Sequence, residues 1–116
     1  MTASNAISFV RGIRPNAVDE QTQLKFLSDI ENMVRICVMG EGTTNSVVYT
    51  HDNKFDEMLV PPPFDTLYVW YLCAMVDLCE GNAELYLNDH AVFNSIYGDY
   101  AKWYVRTKGG TRLGKL

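Results

Sequence analysis

The sequence predicts an all-α domain, a small bundle of about four helices with a protruding loop or short β-hairpin and a flexible C-terminal tail. Three observations carry this prediction. Apolar residues recur at steps of three and four over most of the chain. Strand-like alternation is confined to residues 43–60, and Gly or Pro punctuates the ends of the periodic stretches. The 116 residues are 47% apolar and 21% charged, which suits one ordered domain and leaves too little chain for a multi-domain enzyme. The expected division is a helical domain over 1–108, including the extended loop 43–60, and a flexible basic tail over 109–116.

The first helix is expected over Ser4 to Ile13, with Ile7, Val10 and Ile13 at helical spacing. Ser4 is its candidate cap, and Pro15 stops it at Arg14. Asp19 caps a second helix running to about Val38, with the stripe Leu24, Leu27, Ile30, Val34, Cys37 and Val38. Gly40 and Gly42 end it. In the 43–60 segment Val47, Tyr49 and His51 alternate with Val48 and Thr50. Asp52-Asn53 is a turn signal, and Met58-Leu59-Val60 reads as a return strand. A lone two-stranded ribbon is marginal in water, so this segment is expected to project and to become ordered against another chain. Pro61-Pro62-Pro63 opens a third helix, Phe64 to Glu80, which Gly81-Asn82 stops. A fourth runs from about Ala83 to Thr107, and Gly109-Gly110 begins the tail.

The third helix is apolar nearly all round. Phe64, Leu67, Tyr68, Tyr71, Leu72, Met75 and Leu78 form one broad face, while Val69, Trp70, Cys73 and Val76 lie on the other. A helix apolar on both sides is buried on both sides, and a small four-helix domain has little with which to enclose it. Val69, Trp70, Cys73 and Val76 are therefore expected to form a subunit interface. The competing expectation is that the first helix and the loop cover this face. On the fourth helix Tyr86, His90, Phe93, Tyr97, Tyr100 and Tyr104 form an aromatic stripe at coiled-coil-like spacing, a packing surface rather than a ligand box.

Charge is unevenly distributed. Residues 1–101 contain all 14 acids and five bases, giving −9, while Lys102, Arg106, Lys108, Arg112 and Lys115 give the remainder +5. An acidic body with a basic end points to an acidic partner for that end. Cys37, Cys73 and Cys79 are odd in number and sit among apolar residues, which fits free, buried thiols in a reducing compartment. The longest uncharged apolar run, Thr66 to Val76, has 11 residues, short of the roughly 20 that a membrane-spanning helix needs. No basic region followed by an apolar one marks a signal peptide at the N-terminus.

No constellation of catalytic type is legible. His90 has no partner that spacing brings to it, and His51-Asp52 with Asp56-Glu57 matches no metal-ligand pattern. Gly109 to Lys115 imitates a P-loop start, but Leu116 replaces the required Ser or Thr and no strand precedes it. A non-enzyme without metal or cofactor is expected. The acidic body argues against sequence-specific nucleic-acid binding.

Three segments resemble one known group of proteins. They are Arg14-Pro15-Asn16, LVPPPFDTLYVWYL at 59–72 and FNSIYGDYAKWYVRT at 93–107. Together they resemble the head–tail connector, or adaptor (head completion), proteins of long-tailed bacteriophages. In those proteins a Leu-Val-Pro-x-Pro-Tyr/Phe-Asp segment opens a helix rich in Tyr and Leu, and a last helix ends in Trp-Tyr-x-Arg-Thr. The tail after Thr107 and the third proline, Pro62, depart from that pattern. The resemblance implies a structural virion protein that forms a homo-oligomeric ring, twelve-membered like the portal above it. Such a ring extends the DNA channel, passes DNA without reading its sequence and docks a tail-side neck or tail terminator protein. Its location is the virion neck, and the host cytoplasm during assembly, with no membrane. On this reading Lys102, Arg106, Lys108, Arg112, Leu113, Lys115 and Leu116 contact portal or DNA. The alternative is a small helical cytoplasmic regulator or adaptor that dimerises and binds another protein.

Overall fold

The structure is a computed structural model that describes residues 1–109. Helix α1 (Ala3–Ile13) is capped by Thr2, not by Ser4. Thr2 Oγ1 accepts from the Asn5 amide at 3.0 Å, and Asn5 Oδ1 accepts from the Thr2 amide at 3.1 Å, so two orphan donors are satisfied reciprocally. Helix α2 (Glu20–Met33) has the expected Asp19 cap, whose carboxylate accepts from the Thr22 amide at 2.7 Å. A π-helical turn, Val34–Val38, continues it to the expected end. Gly40, at φ +74°, takes the left-handed conformation that lets the chain leave. Helix α3 (Thr66–Cys79) follows a turn in which the Phe64 amide donates to Pro61 O at 3.0 Å. Gly81, at φ +76°, closes α3, and helix α4 (Ala83–Tyr104) follows, with a π-helical turn over Val105–Gly109.

The three other helices pack around α3. It buries Leu67, Tyr68, Val69, Leu72, Cys73, Ala74 and Val76. Helix α4 runs back along it, with Tyr71 edge-on to Phe93 at 5.2 Å and Phe64 against Tyr100 and Trp103 at 5.7 and 5.5 Å. Helix α1 runs parallel to α3 on another side. Its start lies by the start of α3, where the N-terminal amine is 3.6 Å from Asp65, and its end lies by Asp77. It contributes Ala3, Ala6, Ile7 and Val10 to the core, a face small enough for close approach.

This arrangement corrects the expected interface. Val69, Cys73 and Val76 are buried within the single chain, on a helix that α1, α2 and α4 all pack against, so the competing expectation of a cover from within the chain holds. Trp70 alone of the four keeps partial exposure. The thiols need a correction too. Cys73 is buried, but Cys37 and Cys79 are exposed, since both sit at the fraying ends of their helices.

The 43–60 segment is a loop, with no hairpin. Its one ladder contact is an isolated antiparallel bridge between Thr2 and Glu57. It does not stand away from the body, because Tyr49, Met58 and Val60 reach into the core. The expected tail falls outside the described residues apart from its first, Gly109.

The buried position of Cys73 has a direct test. Burial, with the nearby Asp89 carboxylate, pushes its thiol up to about 12. In native protein at neutral pH a thiol reagent should modify Cys37 and Cys79 and spare Cys73 until denaturant is added. Immediate reaction of all three would show that the surrounding helices do not seal α3.

Candidate functional site

One polar cluster organises the side of the domain where α2 meets the loop. Ser28, Glu31, Asn32 and Arg35 recur at helical spacing beside the apolar stripe of α2. Each one satisfies backbone groups of the loop. Ser28 Oγ accepts from the Tyr49 amide at 2.8 Å. The Asn32 side chain both donates to Val47 O and accepts from the Val47 amide, each at 2.8 Å, as a neighbouring strand would. Arg35 Nη2 donates to Thr44 O at 3.2 Å, and its Nε pairs with Glu41 at 3.1 Å. The helix thus takes the place of the second strand that a hairpin would have provided.

Glu31 is the centre of the cluster and is fully buried. Its Oε2 accepts from the Tyr49 hydroxyl at 2.7 Å and from the Leu59 amide at 2.9 Å. Its Oε1 accepts from the Tyr68 hydroxyl. The Tyr68 oxygen in turn accepts from the Val60 amide at 2.9 Å. Among the described residues no cation pairs with Glu31. Its charge is held by two phenols and a peptide N–H. Burial, reinforced by the Glu31 carboxylate, raises both phenols far above the usual tyrosine range. Both hydroxyls donate to Glu31, so the cluster ties α2, α3 and the loop together.

A second polar joint lies at the other end of α3. Arg14, leaving α1, places Nη2 3.0 and 3.1 Å from the two oxygens of Asp89 on α4. Its Nε lies 3.3 Å from Asp77 of α3. The two carboxylates are almost wholly enclosed, at 2% and 4% side-chain exposure, and share a single guanidinium. Asp77 Oδ2 has no hydrogen-bond partner. Desolvation, helped by Asp89 alongside, pushes the Asp77 carboxyl up to about 6 against the pull of Arg14. Asn16 completes the corner. It donates to Arg14 O at 2.7 Å and accepts from the Val18 amide at 3.0 Å.

A groove of about 620 Å³ lies between α2 and residues 46–51. Its charged side chains are paired. Glu20 binds Lys54 at 2.7 Å and His51 at 3.2 Å, and Lys25 binds Asp29. His90 packs at the edge of the α4 aromatic row, 5.4 Å from Tyr86 and 5.8 Å from Phe93. Among the described residues no three His, Cys, Asp or Glu side chains converge as metal ligands would. None of the described helices is long and apolar enough to cross a membrane.

The sequence-derived site residues scatter. Val69, Cys73 and Val76 belong to the core, and Trp70 lies at its margin. Lys102, Arg106 and Lys108 are exposed around the end of α4. Arg112, Leu113, Lys115 and Leu116 lie outside the described residues. Glu31 and the Arg14–Asp77–Asp89 joint were missed by the sequence reading. The available signal was the polar stripe 28, 31, 32, 35 running beside an apolar one. Comparison with known protein families, curated proteins and solved structures finds no match.

Glu31→Gln leaves a hydroxyl or amide donor facing an amide nitrogen. The substitution should lower stability by about 2–4 kcal/mol in denaturant melts and speed amide exchange at Val47 and Leu59. A change below about 0.5 kcal/mol would remove Glu31 from this role. The Asp77 joint predicts a pH slope. Its folded pKa is raised from 3.8, so its contribution is present below about pH 4 and lost as pH rises through 6. The loss is at most about 3 kcal/mol, and Asp77→Asn should flatten it. An unchanged slope in the variant would assign the titration elsewhere.

Proposed function

We infer that the chain is a structural subunit of a ring at the head–tail junction of a tailed bacteriophage, set beneath the portal and lining the DNA channel. The observation that carries this reading is the convergence of the three segments resembling the connector proteins. Arg14 and Asn16 lock the corner between α1 and α2, and Arg14 reaches α3 and α4. In the segment 59–72, Leu59 and Val60 close on Glu31 and Tyr68, and Phe64 and Tyr71 engage α4. In the segment 93–107, Phe93, Tyr100 and Trp103 receive them. Motifs separated by tens of residues act as the joints of one core, as recurring packing motifs of a shared fold do.

The chemistry of the body favours the same reading. Its buried ionisable groups are tied into structural joints, and its acidic surface repels phosphate, which suits a channel wall that DNA must pass without sticking. The exposed bases at the end of α4 supply a docking surface for an acidic partner.

Electron microscopy of the purified chain, alone and with purified portal, tests the reading. Closed rings that bind portal end-on are the expected result. A discrete two-fold dimer indifferent to portal would overturn it in favour of a dimeric cytoplasmic adaptor.

A further inference from the structure

Phe55 is 68% exposed, the most exposed of the large apolar side chains in the described chain. It does not sit on a loose strand. Asn53 Oδ1 accepts from the Thr50 amide at 2.6 Å, and Asn53 Nδ2 donates to Val48 O at 2.8 Å. The Asp56 amide donates to Asn53 O at 3.0 Å, and the Ser4 amide of α1 donates to Lys54 O at 3.0 Å. The turn therefore presents an aromatic ring to water from a fixed backbone. Asp52, Asp56 and Glu57 flank Phe55 in sequence and are exposed, and Glu57 remains 75% exposed while it meets the N-terminal amine. Lys54, the local base, lies with its ammonium 5.3 Å from the centre of the Phe55 ring, but its charge is paired with Glu20 at 2.7 Å and only 13% of its side chain is exposed. The result is an apolar knob with an acidic rim.

The end of α4 is its complement. Val105 is 44% exposed. Lys102 and Arg106, one helical turn apart, line a shallow depression together with it, and Lys108 follows. All three bases are exposed, and none pairs with a carboxylate among the described residues. This is an apolar spot with a basic rim.

We propose that the Phe55 turn of one copy docks on the Lys102–Lys108 face of a second copy of this chain. Ring closure requires two unlike patches on one subunit, each fitting the other, and these two are unlike in charge and alike in having an apolar centre. The prefixed turn loses little freedom on docking, and an aromatic anchor inside a charged rim is the usual composition of an interface centre. The contact deepens the ring reading and rests on it for closure. It also moves the subunit interface away from Val69, Cys73 and Val76, which are buried within the chain.

The test is reciprocal charge reversal, read as the midpoint concentration of assembly by light scattering or mass photometry, with thermal melts as the folding control. Phe55→Asp should raise the midpoint by about 30-fold or more. Asp56→Arg and Arg106→Glu should each raise it about tenfold, and the double variant should return to within about threefold of the parent. Added salt should weaken the parent assembly. Assembly indifferent to all three single variants overturns the contact and leaves the ring reading standing. Assembly lost in the single variants and not restored in the double overturns the pairing of these patches, as does portal binding lost in Arg106→Glu with assembly intact. A dimer that obeys the same reversal pattern keeps the contact and overturns the ring. A chain that stays monomeric at about 0.5 mM overturns the contact, since even a weak specific interface forms there.

Discussion

A buried carboxylate with no cation paired to it among the described residues is the constraint on which the rest of the structure depends. Glu31 needs donors, and no single element provides them. Tyr49 comes from the middle of the loop and Leu59 from its end, and Tyr68 comes from α3. An isolated charge at this depth would be prohibitive, so the three elements are fixed together or not at all. The loop is therefore an integral part of the core, although it lacks regular secondary structure. Its apolar side chains Tyr49, Met58 and Val60 add burial to an arrangement whose register the hydrogen bonds set.

The second polar joint does comparable work at the far end of α3. Tyr68 near its start is tied to α2 and the loop, while Asp77 near its end is tied to α1, close by α4. Between these anchors the contacts of α3 are apolar and interchangeable in kind. Apolar packing alone would allow neighbouring helices to slide by a turn at modest cost. Two polar joints nine residues apart remove that freedom. The Arg14 joint does so with more anionic groups than cationic ones, and the excess makes it responsive to protons.

Much of this was legible in the sequence, and the exceptions have a common cause. The four helices, the Asp19 cap and the stops at Gly40 and Gly81 follow from periodicity and local backbone chemistry, which act over a few residues. The reading failed where a side chain is satisfied by a distant segment. Glu31 reads as an ordinary solvated charge until Tyr49, Leu59 and Tyr68 are brought to it, 18 to 37 residues away. The loop reads as an incomplete hairpin because the missing strand is replaced by side chains of a helix, a substitution with no period of its own. The two-faced α3 was recognised and the first helix was weighed as its cover, but the subunit interface was preferred. Ala3 and Ala6 are too small to register as an apolar face, yet small residues are what allow one helix to lie close on another. For the candidate interface, exposure is a tertiary property, and the sequence could not separate a covered Val69 from an uncovered Phe55.

The replacement of a strand by a helical row of side chains has an evolutionary consequence. The loop between Thr44 and Leu59 is held through its backbone at Thr44, Val47, Tyr49 and Leu59, by residues that belong to α2. Its outward positions, such as Val48, Asp52, Phe55 and Asp56, take no part in that attachment through their side chains and are exposed. They are free to change under selection without disturbing the core. A lineage can therefore rewrite this surface while the scaffold beneath it keeps its shape, provided that Phe55 and Asp56 change together with the Lys102–Lys108 face on which they dock.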